Sequence, residues 1–177
     1  FTPVMEVDLC GHATLASAYV LVEHLAPDLE SIVFLTKSGD LNVLKSGSAI
    51  LMDFPARPAD QVEVPIELEK GLKAPLKEVY KSRDYMVVFE SEHQVRNLDP
   101  DFDALAELDC TGIIATAPGE DVDFVSRFFA PQAGIPEDPV TGSAHCTLAP
   151  FWSEAFDKKD LTARQVSERG GELACRM

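Results

Sequence analysis

Two stretches carry side chains that could move protons. Residues 137–143 read Glu-Asp-Pro-Val-Thr-Gly-Ser, and residues 10–13 read Cys-Gly-His-Ala. Each leads into a Gly-x-Ala, Gly11-His12-Ala13 in one and Gly142-Ser143-Ala144 in the other, and both run straight into an apolar segment. The first turn of a helix leaves backbone N–H groups without partners, and the helix dipole adds partial positive charge there. A glycine at that point removes the side chain that would keep a ligand off the backbone. Gly11 and Gly142 therefore mark two candidate carboxylate cradles. Around them stand Cys10, His12, Asp138, Thr141 and Ser143. An imidazole, a carboxylate and a hydroxyl form a set for proton transfer on a carboxylate-bearing substrate, provided both helix mouths open on one cleft.

Simpler readings compete with this one. Asp138 or Thr141 could do no more than cap the following helix, and His12 could bond to backbone in the first turn. His145 lies two residues after Ser143, so the two cannot face each other on a helix and do not make a Ser–His pair. The segment is not the Gly-x-Ser-x-Gly elbow either. His145 reads as structural or cleft-lining, and Cys110, Cys146 and Cys175 as core. Cys10, His12, His145 and Cys146 would be soft metal ligands, but the adjacent last pair diverges by about 100° around a helix. No metal is assigned.

The elements that must position these groups follow from the pattern. Phe1-Thr2-Pro3 reads as the end of a strand, and a helix runs from about His12 to Leu25, stopped by Pro27. "SIVFLT", "LNVLKS" and "AILMDF" read as an antiparallel meander joined by Ser-Gly turns. "PARPADQVEVP", with three prolines in eleven residues, is the best linker candidate. It separates a first unit, 1–57, from a second, 58–177. In the second, "IELEKGL" and "DPDFDALAEL" read as short helices. "LKEVYKS", "YMVVFES", "TGIIATAP", "VDFVSRFFAP", "TARQVSE" and "ELACRM" read as strands, and residues 142–156 as an apolar helix.

The approaches to the two apolar helices match. Each reads Phe-x-Pro, a loop, Gly-x-Ala and a helix, with a loop three residues longer in the second copy. The expected fold class is α+β, with two pseudo-symmetric halves, each a curled, mostly antiparallel sheet around a central helix that is apolar nearly all round.

Composition bounds the partners. Thirty acids against fifteen bases give a net charge of −15, which argues against nucleic acid and anionic membrane surfaces. No apolar run reaches membrane-spanning length. Four cysteines without disulfide-framework spacing read as thiols of a reducing, cytoplasmic protein.

The stretches "FTPVMEVDLCGHATLA", "SRFFAPQAGIPEDPVTGSAHCTLAPFW" and "LTARQVSERGGEL" resemble the PhzF, or phenazine biosynthesis-like, family of the diaminopimelate epimerase-like fold. The resemblance implies two pseudo-symmetric halves with the site between them, a homodimer, and a cofactor-free isomerase acting on a small carboxylic acid. The family's studied member shifts a proton and double bonds in a dihydro-hydroxyanthranilic acid. By motif, His12, Asp138 and Ser143 match functional side chains, and Gly11 and Gly142 match the backbone that embraces the carboxylate. Cys10 and Thr141 join them as substrate-binding candidates. The family's principal acid/base is a glutamate in a "SETAF"-like segment that precedes "FTP", and no stretch of this sequence matches it. The chain is accordingly expected to be truncated at both ends. Two alternatives stay open: an amino-acid epimerase or racemase using Cys10, and a non-catalytic small-carboxylate binding protein.

Overall fold

The computed structural model describes residue 4, residues 6–47 and residues 49–177. The expected strand end at 1–3 lies outside the described residues. Helix α1 (Gly11–Val20) continues into a π turn, Leu21–Leu25. Strands β1 (Ser31–Thr36), β2 (Gly39–Ser46) and β3 (Ala49–Asp53) then form an antiparallel sheet in sequence order. This is the expected meander. Gly39, at φ 96°, takes the left-handed backbone that lets β1 turn back as β2. Leu41 and Val43 are buried on one face of this sheet, while Val33, Leu35, Leu44 and Leu51 on the other are exposed.

The second sheet has eight strands. They are β4 (Asp60–Gln61), β5 (Glu78–Lys81), β6 (Tyr85–Val88), β7 (Ile113–Pro118), β8 (Phe124–Ala130), β9 (Ile135–Asp138), β10 (Asp160–Gln165) and β11 (Gly171–Arg176). Their order is β11-β10-β8-β7-β6-β5-β4, with β9 also on β8. Only β6–β7 and β8–β10 pair in parallel. Alternation sorts side chains to two faces. Ile113, Ala115, Val125 and Phe129 meet residues of helices α2 (Ile66–Leu72), α3 (Glu92–Arg96) and α4 (Phe102–Ala106). Ile114, Phe124 and Phe128 meet Ala144, Leu148 and Trp152 of helix α5 (Gly142–Phe156). Trp152 Nε1 donates to Thr116 Oγ1 across 2.9 Å and fixes the helix on the sheet.

The bounds of α2 and α5 agree with the sequence reading. Short elements were missed: α3, β4 and β9. The reading carried the "YMVVFES" strand to Ser91, but the strand ends at Val88 and Ser91 caps α3, accepting from the Gln94 amide. The expectation of two enclosed helices holds for α5, where eight of fifteen residues are buried. In α1 only Gly11 and Ala18 are buried. Among the described residues three strands shield one side of α1, so Leu15, Tyr19 and Val20 remain exposed.

Pro150 sits inside α5. A proline has no N–H for the carbonyl four residues earlier, so the Cys146 carbonyl is free to accept from the Arg57 amide, at 2.7 Å. The segment leaving β3 is thereby tied to the side of α5.

Candidate active site

The N-termini of α1 and α5 meet. A Cβ placed on Gly11 would lie 3.2 Å from the Gly142 Cα, and one on Gly142 would lie 3.3 Å from the Gly11 Cα. Only residues without side chains allow this approach. Neither helix has a side-chain cap: Cys10 and Thr141 occupy the cap positions in extended backbone without bonding to the amides that follow. Two uncapped helix ends thus converge, and their partial positive charges add.

A cleft of about 80 Å³ opens at this junction. Its lining includes all seven residues singled out from the sequence: Cys10, Gly11, His12, Asp138, Thr141, Gly142 and Ser143. Val7, Leu9, Phe128, Ala130, Ala133 and Ile135 supply an apolar wall. His12 is exposed, with Nε2 3.4 Å from Cys10 Sγ. Asp138 is half-buried and ends β9, which holds it beside Phe128 of β8. Its carboxylate accepts from the Thr141 hydroxyl. Asp138 therefore does not cap α5, and the Thr141 hydroxyl faces a protein partner rather than an open cleft.

His145 does not line the cleft. It is buried, and Nδ1 lies 2.9 Å from the Thr141 carbonyl. A carbonyl can only accept, so Nδ1 carries the proton. Burial pushes the pKa of this imidazole down and keeps it neutral. Cys146 packs with Leu9 and Leu41. Burial pushes the thiols of Cys110 and Cys175 up to about 11, and that of Cys146 upward as well. Among the described residues no group of three or more His, Cys, Asp or Glu could hold a metal ion. No helix there is long and apolar enough to cross a membrane.

The sequence reading missed the charged frame of the cleft. Arg83, in the β5–β6 turn, lines it. Its Nη1 donates to Asp8 Oδ1 at 2.8 Å, and its Nη2 to Asp84 Oδ2 at 2.6 Å and to Ser143 Oγ at 3.4 Å. Asp8 also accepts from Arg57 Nη2 at 2.7 Å, with Ser38 Oγ 3.0 Å from the same oxygen. Burial would raise the Asp8 carboxyl, but Arg57, Arg83 and Ser38 together hold it below the usual carboxylate range. At Asp84 burial wins and raises the pKa despite Arg83. Gln165 was missed too. It is fully buried and bonds the loop between β9 and α5. It ends β10 between Arg164 and Val166, and no sequence signal marked it.

Residues 1–177 match the profile of the phenazine biosynthesis-like protein family, PhzC-PhzF. The chain is 51% identical over 178 residues to a protein of Pseudomonas aeruginosa named an uncharacterized isomerase, a match covering 100% of this chain and 68% of that protein. It is 38% identical over 193 residues to the Homo sapiens phenazine biosynthesis-like domain-containing protein, covering 98% of this chain and 67% of that one. Among solved structures, a PhzF-family phenazine biosynthesis protein from Enterococcus faecalis has a TM-score of 0.92 at 44% identity, covering 100% of this chain and 68% of that chain.

Proposed function

The chain belongs to the phenazine biosynthesis-like PhzC-PhzF family, and from that membership and the geometry of the cleft we propose a cofactor-independent isomerase that shifts a proton on a small carboxylic acid. The observation that carries this reading is the meeting of two uncapped helix N-termini at Gly11 and Gly142. The substrate carboxylate lodges there, held by backbone amides and the Ser143 hydroxyl. Asp138 and His12, on the same cleft, assist the movement of the proton. One C–H bond breaks, another forms at a conjugated carbon, and the double bonds move with no net oxidation. A further glutamate, matched by no stretch of this chain, is the principal base in this reading.

In the same reading residues 1–57 belong to one half of a pseudo-symmetric pair and residues 58–177 form the other. The working protein is a homodimer, which sedimentation would test.

Asp138→Asn in the full-length protein is the functional test. With the dihydro-hydroxyanthranilic acid of the family's studied member as the test substrate, turnover is expected to fall by about 10²–10⁴-fold while the melting temperature holds. Turnover unchanged by the substitution would overturn the role of Asp138.

One observation favours a second reading, an amino-acid epimerase using Cys10. The thiol lies 3.4 Å from a His12 ring nitrogen, which offers a base to form the thiolate. Cys10→Ser separates the two. It abolishes α-carbon deuterium exchange by an epimerase and leaves most of the turnover of the isomerase.

A further inference from the structure

We propose that Gln165 and Thr141 form a positioning relay that aims the Asp138 carboxylate into the cleft. The Gln165 side chain, in β10, is wholly inside the protein. A buried primary amide must place one acceptor and two donors. Gln165 places all three on one loop. Its Oε1 accepts from the Thr141 amide at 2.7 Å, and its Nε2 donates to the Asp138 carbonyl at 2.6 Å and to Thr141 Oγ1 at 3.2 Å. The partners fix the orientation of the amide. A backbone N–H can only meet the oxygen, and a carbonyl can only meet the nitrogen.

The direction of the next bond follows. Thr141 Oγ1 accepts from Gln165, so its single proton goes to Asp138 Oδ2, with which it bonds. The bond runs from the Thr141 hydroxyl to the carboxylate. The chain of bonds therefore runs one way, from the sheet through Thr141 to Asp138. It holds Asp138 at both its carbonyl and its carboxylate. Thr141 occupies the cap position of α5 yet makes no side-chain cap bond. Its hydroxyl is turned to Asp138, and the amides at the helix mouth stay open to a ligand.

The relay rests on the proposed isomerase reading, because it acts through Asp138. The test compares Thr141→Val, Thr141→Ser, Gln165→Leu and Asp138→Asn in the full-length protein. Turnover of the dihydro-hydroxyanthranilic acid is measured beside melting temperature, and the Thr141→Val protein is crystallised. Thr141→Val keeps the shape of the residue and is expected to lower kcat by on the order of 10–100-fold with KM nearly unchanged. Thr141→Ser restores most of that loss, and the Asp138 carboxylate is rotated in the Thr141→Val crystal. Gln165→Leu gives the same kcat loss as Thr141→Val if it folds; Thr141→Val decides the matter if it does not. Adding Thr141→Val to Asp138→Asn lowers turnover no further. Full kcat in Thr141→Val while Asp138→Asn is inactive would overturn the relay and leave the isomerase reading standing. Full activity in Asp138→Asn would overturn both. An unmoved Asp138 in the Thr141→Val crystal would overturn the relay whatever the turnover.

Discussion

Gly11 and Gly142 stand backbone to backbone: a methyl group on Gly11 would come within 3.2 Å of the Gly142 Cα. The two helices that carry the candidate chemistry are therefore packed at their positive ends, an arrangement that costs electrostatic energy unless an anion shares it. The glycines do two things at once, closing the junction and baring the amides.

Gly142→Ala tests this junction. The added methyl would sit 3.3 Å from Gly11 Cα and 3.7 Å from the Phe54 ring, tight enough to push the helices apart by a few tenths of an ångström. Alanine gains roughly 0.5–1 kcal/mol over glycine in a helix interior and less at a first residue such as Gly142, which offsets part of the strain. The expected outcome is a melting temperature near that of the parent and a carboxylate affinity lowered about tenfold or more, read by titration calorimetry with an aromatic carboxylate.

Arg83 is the frame of the cleft, and removing it should cost stability. Asp84 has only 3% of its side chain exposed and is paired with Arg83. Arg83→Met strands that acid, at a cost of about 3–5 kcal/mol for a buried pair with one partner gone. The contact to Asp8, a carboxylate with 35% of its side chain exposed, adds only about 1 kcal/mol after solvent screening. Chemical denaturation measures the loss, and Arg83→Met combined with Asp84→Asn should recover much of it.

Acid should loosen the fold through His145 before it does so through the carboxylates. Burial holds the pKa of His145 below its ordinary 6.5. As pH falls through about 6.5 the unfolded chain takes up a proton at this residue and the folded chain does not, so stability declines. Asp8, held below its ordinary 3.8, contributes stability that is present above that value and lost only as pH falls further. Asp84, raised by burial, runs in the opposite sense. Melting temperature is expected to fall between about pH 7 and 5.5. His145→Leu should flatten that decline.

Thiol labelling should be selective. Burial keeps Cys110, Cys146 and Cys175 protonated well above neutral pH, and a protonated thiol is a poor nucleophile. Cys10 lines the cleft. Mild alkylation of the native protein near pH 8 should modify Cys10 first, as peptide mass mapping would show.

What the sequence revealed was local. Gly-x-Ala before an apolar run marked both helix mouths, and turn residues marked the meander, because glycine and turn chemistry act over a few residues. What it hid was pairing at a distance. Arg83 meets Asp8 across 75 residues, and Gln165 meets Thr141 across 24; neither spacing has a period to read. The Arg57 amide reaches the Cys146 carbonyl, and Pro150 hints at this only to a reader who asks which carbonyl it leaves free. β9 went unseen because four residues with a proline, Ile135–Asp138, carry no alternation to detect.

The central claim is that an organic carboxylate binds where α1 and α5 meet. The direct measurement is a crystal structure of the full-length protein grown with a saturating aromatic carboxylate. The account predicts the carboxylate oxygens at hydrogen-bond distance, about 3 Å, from amides at both Gly11 and Gly142, with the ring extending toward Asp138 and His12. A well-ordered ligand bound elsewhere, with its carboxylate on neither helix mouth, would contradict it.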